Sequence, residues 1–317
     1  MGYEVASLGE LLIDMVPLPA APGALNFAAK PGGAPGNSAV GLAKLGRSVA
    51  MLSKVGSDAF GRLLTDTIAA SGASVEHVAV SKQHLTGMAV VTLDEHGDRD
   101  FLFYRHDCAD ANYAPEDVPA AVIADAGILH VNSLVLASPI SAAAQRHAMR
   151  LAQASGITIS ADPNLRPLLW TSREDMIAAA REVIAAANIL KIGEDELAII
   201  TGIAEPEAAL ASLWHAGLRV AAVTAGAGLA AVVTPAVRVP VPAFTVRVVD
   251  TTGCGDSFMA AFLTGLIESE MDLSAASLAR IGRFASAAGA MTATAPGGMD
   301  AMPSRAALDR FLAERGE

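Results

Sequence analysis

Between Ala121 and Thr234 the chain alternates two hydrophobic periods, and no other feature narrows the fold as much. Short apolar runs at Gly127–Val131, Thr158–Ala161, Ile189–Ile192 and Val220–Thr224 read as strands. Between them, Ile140–Ala154, Ser172–Ala187, Glu194–Thr201 and Glu205–Ala216 carry apolar residues at helical spacing. Strands joined through helices pair in parallel, so the pattern predicts a mostly parallel central sheet with helices on both faces. Ligands of such open sheets gather at the carboxyl ends of the strands. Asp162, Lys191, Glu194, Thr224 and Asp256 all fall at such ends.

The stretch Asp250-Thr251-Thr252-Gly253-Cys254-Gly255-Asp256 brings the sharpest chemistry to that edge. Phe244–Val249 before it alternates and is rich in β-branched residues, which predicts a strand. Phe258, Ala261, Phe262, Gly265 and Leu266 after it recur at helical spacing. The turn therefore sits at a helix N-terminus, where unpaired N–H groups and the helix dipole favour an anion. Two glycines around one small residue let the backbone close on that anion. A carboxylate beside such a cradle suits phosphoryl transfer to a hydroxyl, with donors for developing charge and an acceptor for the proton. The same pattern also serves a plain helix cap.

Upstream, Tyr3–Leu8 reads as a strand, and Leu11–Val16 as a second one carrying Asp14. Asp14 suits either an edge-strand face or a buried acceptor for hydroxyls. After a Pro/Ala/Gly loop at Pro17–Gly23 comes a second glycine turn, Lys30-Pro31-Gly32-Gly33-Ala34-Pro35-Gly36-Asn37, running into a helix over Ser38–Leu45. Asn37 is there a helix cap or a ligand donor and acceptor. Val49–Val55 is the next strand and Arg62–Ser71 the next helix. Gly87–Leu93 and Asp100–Tyr104 form a β-hairpin whose tip, Asp94–Arg99, is too short for a calcium loop and lacks its closing glutamate. Arg105 follows as a solvated strand-end cation or a ligand contact. The tail closes with helices over Ala275–Thr292 and Ser304–Arg315, separated by Ala295-Pro296-Gly297-Gly298.

Composition trims the function classes. A hydrophobic fraction of 52% over 317 residues fills a substantial core, and a net charge of −11 argues against nucleic acid or an anionic membrane as main partner. Two distant cysteines, Cys108 and Cys254, offer neither a disulfide framework nor paired zinc ligands, so a reducing, cytoplasmic setting is expected. Met1–Glu10 has no basic n-region, which speaks against a signal peptide. Val220–Val237 is long and uncharged, but Gly226, Gly228 and Pro235 break it into two strands around a turn rather than a membrane span. Gly226-Ala227-Gly228 mimics a dinucleotide fingerprint, yet it leads into a strand, not a helix. There is no Gly-Lys pair for a Walker A loop, no His-Glu-x-x-His and no Gly-x-Ser-x-Gly. No repeat or linker divides the chain, so residues 1–317 are expected as one domain.

The order of these motifs resembles the ribokinase (pfkB) family of carbohydrate kinases along essentially the full chain. Gly32-Gly33-Ala34-Pro35-Gly36-Asn37 resembles its first signature and Asp250–Asp256 its second. Asp162-Pro163-Asn164-Leu165-Arg166, then Leu169-Trp170, Lys191-Ile192-Gly193-Glu194 and Phe103-Tyr104-Arg105, are similar to the fructokinase branch. The resemblance implies a three-layer α/β sandwich with a small β-lid from segments about 12–34 and 86–106, often paired in a homodimer. Asp256 would be the base, and Gly253, Cys254 and Gly255 the anion hole. Asp14, Gly32, Gly33, Asn37, Arg105 and Asp162 would lie on the sugar side. Lys191, Thr224, Gly226 and Gly228 would lie along ATP, and Glu194 would place Mg2+ through water. Asp250 and Thr252, with carbonyls near Thr292, Ala295 and Gly297, would hold an activating K+. The implied activity is a fructokinase making the 6-phosphate. Alternatives are a 2-keto-3-deoxygluconate kinase, a ribose, nucleoside or aminoimidazole riboside kinase, and a catalytically silent sugar or nucleotide sensor. Two departures stand out: Cys254 replaces the family's usual alanine, with a low thiol pKa expected at a helix N-terminus, and Lys191 replaces the asparagine of ribokinases.

Overall fold

A computed structural model describes residues 2–21, 24–93 and 99–316; of the sequence expectations, the hairpin tip at 94–98 and the end of the Pro17–Gly23 loop lie outside them. The chain runs β1 (Val5–Leu8), β2 (Leu12–Leu18), β3 (Asn26–Gly32), α1 (Ala34–Lys44), β4 (Val49–Gly56), α2 (Ala59–Ala70) and β5 (Val78–Ser81). The hairpin strands β6 (Gly87–Leu93) and β7 (Arg99–Tyr104) precede a short helix α3 (Ala120–Ala124). The alternation follows as β8 (Ile128–Asn132), α4 (Pro139–Ala154), β9 (Thr158–Asp162), α5 (Arg173–Ala186), β10 (Ile189–Gly193), α6 (Glu194–Thr201), α7 (Pro206–Leu213) and β11 (Val220–Thr224). The remainder is β12 (Ala230–Val233), β13 (Arg238–Val241), α8 (Cys254–Glu268), α9 (Ala275–Thr292), α10 (Gly298–Ala301) and α11 (Arg305–Ala313).

Nine strands form the large sheet in the order β13-β12-β11-β10-β9-β8-β1-β4-β5, parallel from β11 to β5 with β12 and β13 antiparallel at one edge. Because strand side chains alternate, each central strand feeds two cores. Val5, Val49, Met51, Ile189 and Val220 pack with α1, α2, α8, α9 and α11. Ala6, Ala50, Leu52, Leu190 and Ala221 pack with α3 to α7. That is the three-layer arrangement the two periods predict. A separate four-stranded sheet, β3-β2-β6-β7, is built from the two expected segments, and β2 is one of its inner strands, so Asp14 is not on an edge.

Three local readings change. Phe244–Val249 forms no strand; it runs outside both sheets into the glycine turn, with Val249 N–H bonded to the Ala293 carbonyl at 2.7 Å and the side chains of Val248 and Val249 exposed. The strand before that turn is instead β13, whose Pro240 lies exposed on an outer strand, where a missing N–H is tolerated. Helix α1 begins at Ala34, not Ser38, because Pro35 suits a first turn that needs no N–H. Asn37 therefore lies inside the helix and caps nothing. Helix α2 begins at Ala59, not Arg62, because Asp58 accepts the Gly61 N–H at 2.8 Å.

Candidate active site

The carboxyl ends of β1, β8, β9 and β10 open into a cleft of about 650 Å³, closed on one side by the start of α8 and on another by the small sheet. Glu10, Asp14, Asn37, Arg166, Lys191 and Asp256 face into it. A hollow of about 400 Å³ at the far end of α8, lined by Ile281, Phe284 and Leu312, gathers no comparable acid and glycine turn.

The turn before α8 is not closed by a side-chain cap. Gly253 is the N-cap, with φ +77. A methyl group at Gly253 would stand 3.0 Å from the Gly298 Cα, so a side chain there is strained in both conformation and space. Ser257 N–H is the first to close back, onto Gly253 at 2.8 Å; the earlier N–H groups leave the helix end, with Cys254 N–H making a long 3.3 Å bond to Thr251. Asp256 stands in the first turn, beside those donors, and its carboxylate does no capping.

Asn37 donates from Nδ2 to Asp256 Oδ2 at 2.7 Å, joining the two glycine turns across the cleft. Its Oδ1 is buried against Gly298 with no hydrogen-bond partner among the described residues. Burial pushes the Asp256 carboxyl above its ordinary value, opposed by the Asn37 bond, Lys191 and Arg166. Burial likewise lifts Asp14 to about 7, helped by the nearby acids Asp256, Asp250 and Glu10 and opposed by Arg166. A cluster of acids that resist ionisation in a cleft is suited to taking up protons and binding hydroxyls. Gly33, with φ +104, would bring any Cβ against the Glu10 backbone, and Gly32 ends β3 opposite Leu12 beside the Asp14 carboxylate.

The other expected residues divide. Asp162 and Lys191 are buried and paired with each other, at 2.9 Å. Glu194 opens α6, while Glu196 does the local bonding there, accepting from Gly193 N–H at 2.9 Å and Leu165 N–H at 2.7 Å. Thr224 ends β11 in register with Gly193, and Gly226 (φ +57) and Gly228 turn the chain into β12. Asp250 is buried and accepts from Thr252 N–H at 2.8 Å and Gly297 N–H at 3.0 Å, tying the turn to the tail. Ala295 N–H donates to the Thr292 carbonyl at 3.3 Å in that tail.

Two expectations are corrected. Arg105 is no solvated strand-end cation: its guanidinium is buried against Asp110, bonded through both Nε and Nη2, because the chain after β7 folds Asp110 back onto it, and its charge acts on Glu10 in the cleft wall. The Cys254 thiol is not acidic: burial, with Asp250 and Asp256 close by, pushes it up to about 11. The dipole loses to desolvation and two neighbouring acids. Sequence reasoning missed Glu10, whose Oε1 accepts the Ala34 N–H at 2.9 Å and whose Oε2 accepts from Asn132 at 2.7 Å. It also assigned no role to Arg166. Both stand just past the carboxyl end of a strand, the criterion that had found Asp162.

The chain matches the pfkB carbohydrate kinase family over residues 3–305. It is 36% identical to a probable fructokinase-4 of Arabidopsis thaliana, covering 97% of this chain and 96% of that protein. Among solved structures it superposes on a fructokinase with bound ATP from Xylella fastidiosa with a TM-score of 0.92, 31% identity and 99% coverage of both chains. A Vibrio cholerae fructokinase in a form with fructose, ADP and calcium ion gives 0.86 and 32% identity, covering 97% of this chain and 98% of that one. With a ribokinase-like α/β fold and a family match along nearly its whole length, this chain belongs to the pfkB family of carbohydrate kinases.

Proposed function

We propose that the protein is an ATP-dependent fructokinase, moving the γ-phosphoryl group of ATP to the 6-hydroxyl of D-fructose. The observation that carries the chemistry is Asp256, uncapping and half-buried, beside the N–H groups of a helix N-terminus and bonded to Asn37. The choice of sugar rests on the fructokinase relatives.

In this reading the sugar lies between Asp14, Asn37 and Gly33, with Glu10 fixing the first glycine turn from behind. Asp256 takes the proton of the attacking hydroxyl onto its carboxylate as the oxygen bonds to phosphorus. The N–H groups of Gly253, Cys254 and Gly255 offer their dipoles to the charge on the migrating group. Thr224, Gly226 and Gly228 border the nucleotide, and the small sheet, which brings Leu12, Asp14 and Phe103 to the cleft, acts as a lid that excludes water. Mg2+ bound to the phosphates would supply charge neutralisation. Glu194 fits as its water-mediated anchor, since Glu196 already satisfies the backbone at that helix start. A potassium ion fits Asp250, Thr252 and the carbonyls of Thr292, Ala295 and Gly297, where a buried carboxylate meets two loops. Exposed Leu18, Leu102 and Tyr104 on the small sheet support a homodimer through the lids. No helix among the described residues is long and apolar enough to cross a membrane, and both cysteines are free, which suits a cytoplasmic enzyme.

A second acceptor has one observation in its favour. Arg166 places a cation in the cleft beside Asp14, as the carboxylate of 2-keto-3-deoxygluconate would require. A coupled ATP assay over fructose, ribose, 2-keto-3-deoxygluconate and an aminoimidazole riboside decides the acceptor. Fructose with the highest kcat/KM is the expected result; no turnover on fructose would overturn the proposal.

A further inference from the structure

Lys191 and Asp162 stand on adjacent parallel strands, one residue beyond the register pair Leu190–Ala161, so their side chains leave the sheet on the same face. Lys191 Nζ lies 2.9 and 3.2 Å from the two Asp162 oxygens, and 9% and 4% of the two side chains is exposed. Their sheet neighbours Leu190, Ile192 and Ala161 are fully buried apolar residues. Taking an ion pair out of water is expensive, and an apolar pair of the same volume commonly stabilises as well or better. Stability alone therefore gives no reason for this pair.

Its location does. A methyl group at Gly255 would stand 3.0 Å from Lys191 Nζ, so the ammonium lies close against the anion turn, and a larger residue there would push it away. An ammonium carries three donors; its bonds to the one Asp162 carboxylate leave donor capacity for a ligand of the cleft that Lys191 lines. Lys191 and Asp256 sense each other's charge across the same space.

We propose that Lys191 is a catalytic cation for the phosphoryl group in flight, and that Asp162 is a positioning residue that aims it rather than a ligand of the sugar. The proposal deepens the kinase reading and rests on it. Asp162 holds the ammonium in place before substrates arrive, so no reorganisation is needed as negative charge builds on the migrating group. It also anchors the ammonium on its own side of the cleft, which keeps Lys191 from collapsing onto Asp256 and blunting its basicity.

The test uses the full chain with Lys191→Met, Asp162→Asn and the double variant, reading kcat, both KM values and melting temperature. Lys191→Met is expected to lower kcat by about 10²–10³ with sugar KM changed by less than about threefold. Asp162→Asn should lower kcat about tenfold or more in the same pattern, and the double variant should be no worse than Lys191→Met. Because it leaves no single buried charge, the double variant should also recover the melting temperature lost in Lys191→Met while its turnover stays low. Recovery of kcat together with stability would make the pair structural and overturn the proposal. So would an Asp162→Asn enzyme with a raised sugar KM and normal kcat. ADP with aluminium fluoride, which imitates the migrating group, gives an arm independent of the sugar. Lys191→Met should weaken that complex more than about tenfold while leaving ADP alone nearly unchanged, and equal weakening refutes the assignment. Wild-type inactivity on fructose with that arm intact would count against the acceptor, not against Lys191.

Discussion

Replacing Asp256 with Asn tests the proposed chemistry with almost no change of shape. The amide can turn its oxygen toward Asn37 Nδ2 and keep the 2.7 Å bond that joins the two glycine turns. What disappears is the proton acceptor, and a positioned general base contributes about 10²–10⁴ in rate, or about 2.7–5.4 kcal/mol at 1.36 kcal/mol per decade. Stability should move the other way. Burial raises the folded-state value of this carboxyl above its ordinary 3.8, so the folded protein holds the proton more tightly than the unfolded chain. Ionisation then costs the folded state stability as pH climbs past 3.8 toward the raised value, and the cost is complete above it. Asn carries no such charge. The variant should therefore melt higher than the parent at pH 8, with the gap closing toward pH 4, while losing at least a hundredfold in kcat. Coupled-assay kinetics, ATP-binding calorimetry with affinity kept within about twofold, and melting curves at pH 4, 6 and 8 complete the set. Near-normal turnover would remove Asp256 from the base role, and a lower melting temperature at pH 8 would refute the burial argument.

Further outcomes follow from the same geometry. Asp14 titrates at about 7, so its ionised fraction grows close to tenfold from pH 6 to 8; if the carboxylate receives a sugar hydroxyl, sugar KM should fall by up to about tenfold over that range, and Asp14→Asn should flatten the profile. With its thiol raised from 9.0 to about 11, Cys254 should react with iodoacetamide at pH 8 about a hundredfold more slowly than an ordinary thiol, and Cys254→Ala should keep near-normal turnover. Glu194→Gln should raise the Mg2+ requirement about 10- to 100-fold with little change in melting, whereas Glu196→Gln, which loosens the caps on Gly193 and Leu165, should lower the melting temperature first. Gly46→Ala and Gly253→Ala both carry the left-handed strain of about 1–2 kcal/mol, but only the second meets the Gly298 backbone; turnover should collapse in Gly253→Ala alone.

Much of the architecture was legible because it is local. Swapping periods of two and 3.6 specify strands that bury both faces and helices that cover them, and only a parallel sheet with crossovers accommodates the series from β8 to β11. The same reasoning places Asp162 and Lys191 at one edge of the sheet, whereas Asp256 reaches it without the strand expected before its turn. Phe244–Val249 shows where local reasoning ends: its residues favour a strand, but what lies beside them decides pairing, and Val249 N–H bonds to the Ala293 carbonyl at the end of α9 rather than to a sheet edge.

What the sequence determined by itself was the layer order, the two glycine turns and the side of the sheet on which chemistry gathers, since each depends on residues a few positions apart. Only tertiary structure decided which polar groups meet. Asn37 reaches Asp256 across 219 residues, Asp110 pairs with Arg105, Asp162 claims Lys191, and burial overrides the helix dipole at Cys254. Those outcomes turn on desolvation and on partners brought in from other strands, and such energies have no counterpart in a short window of sequence.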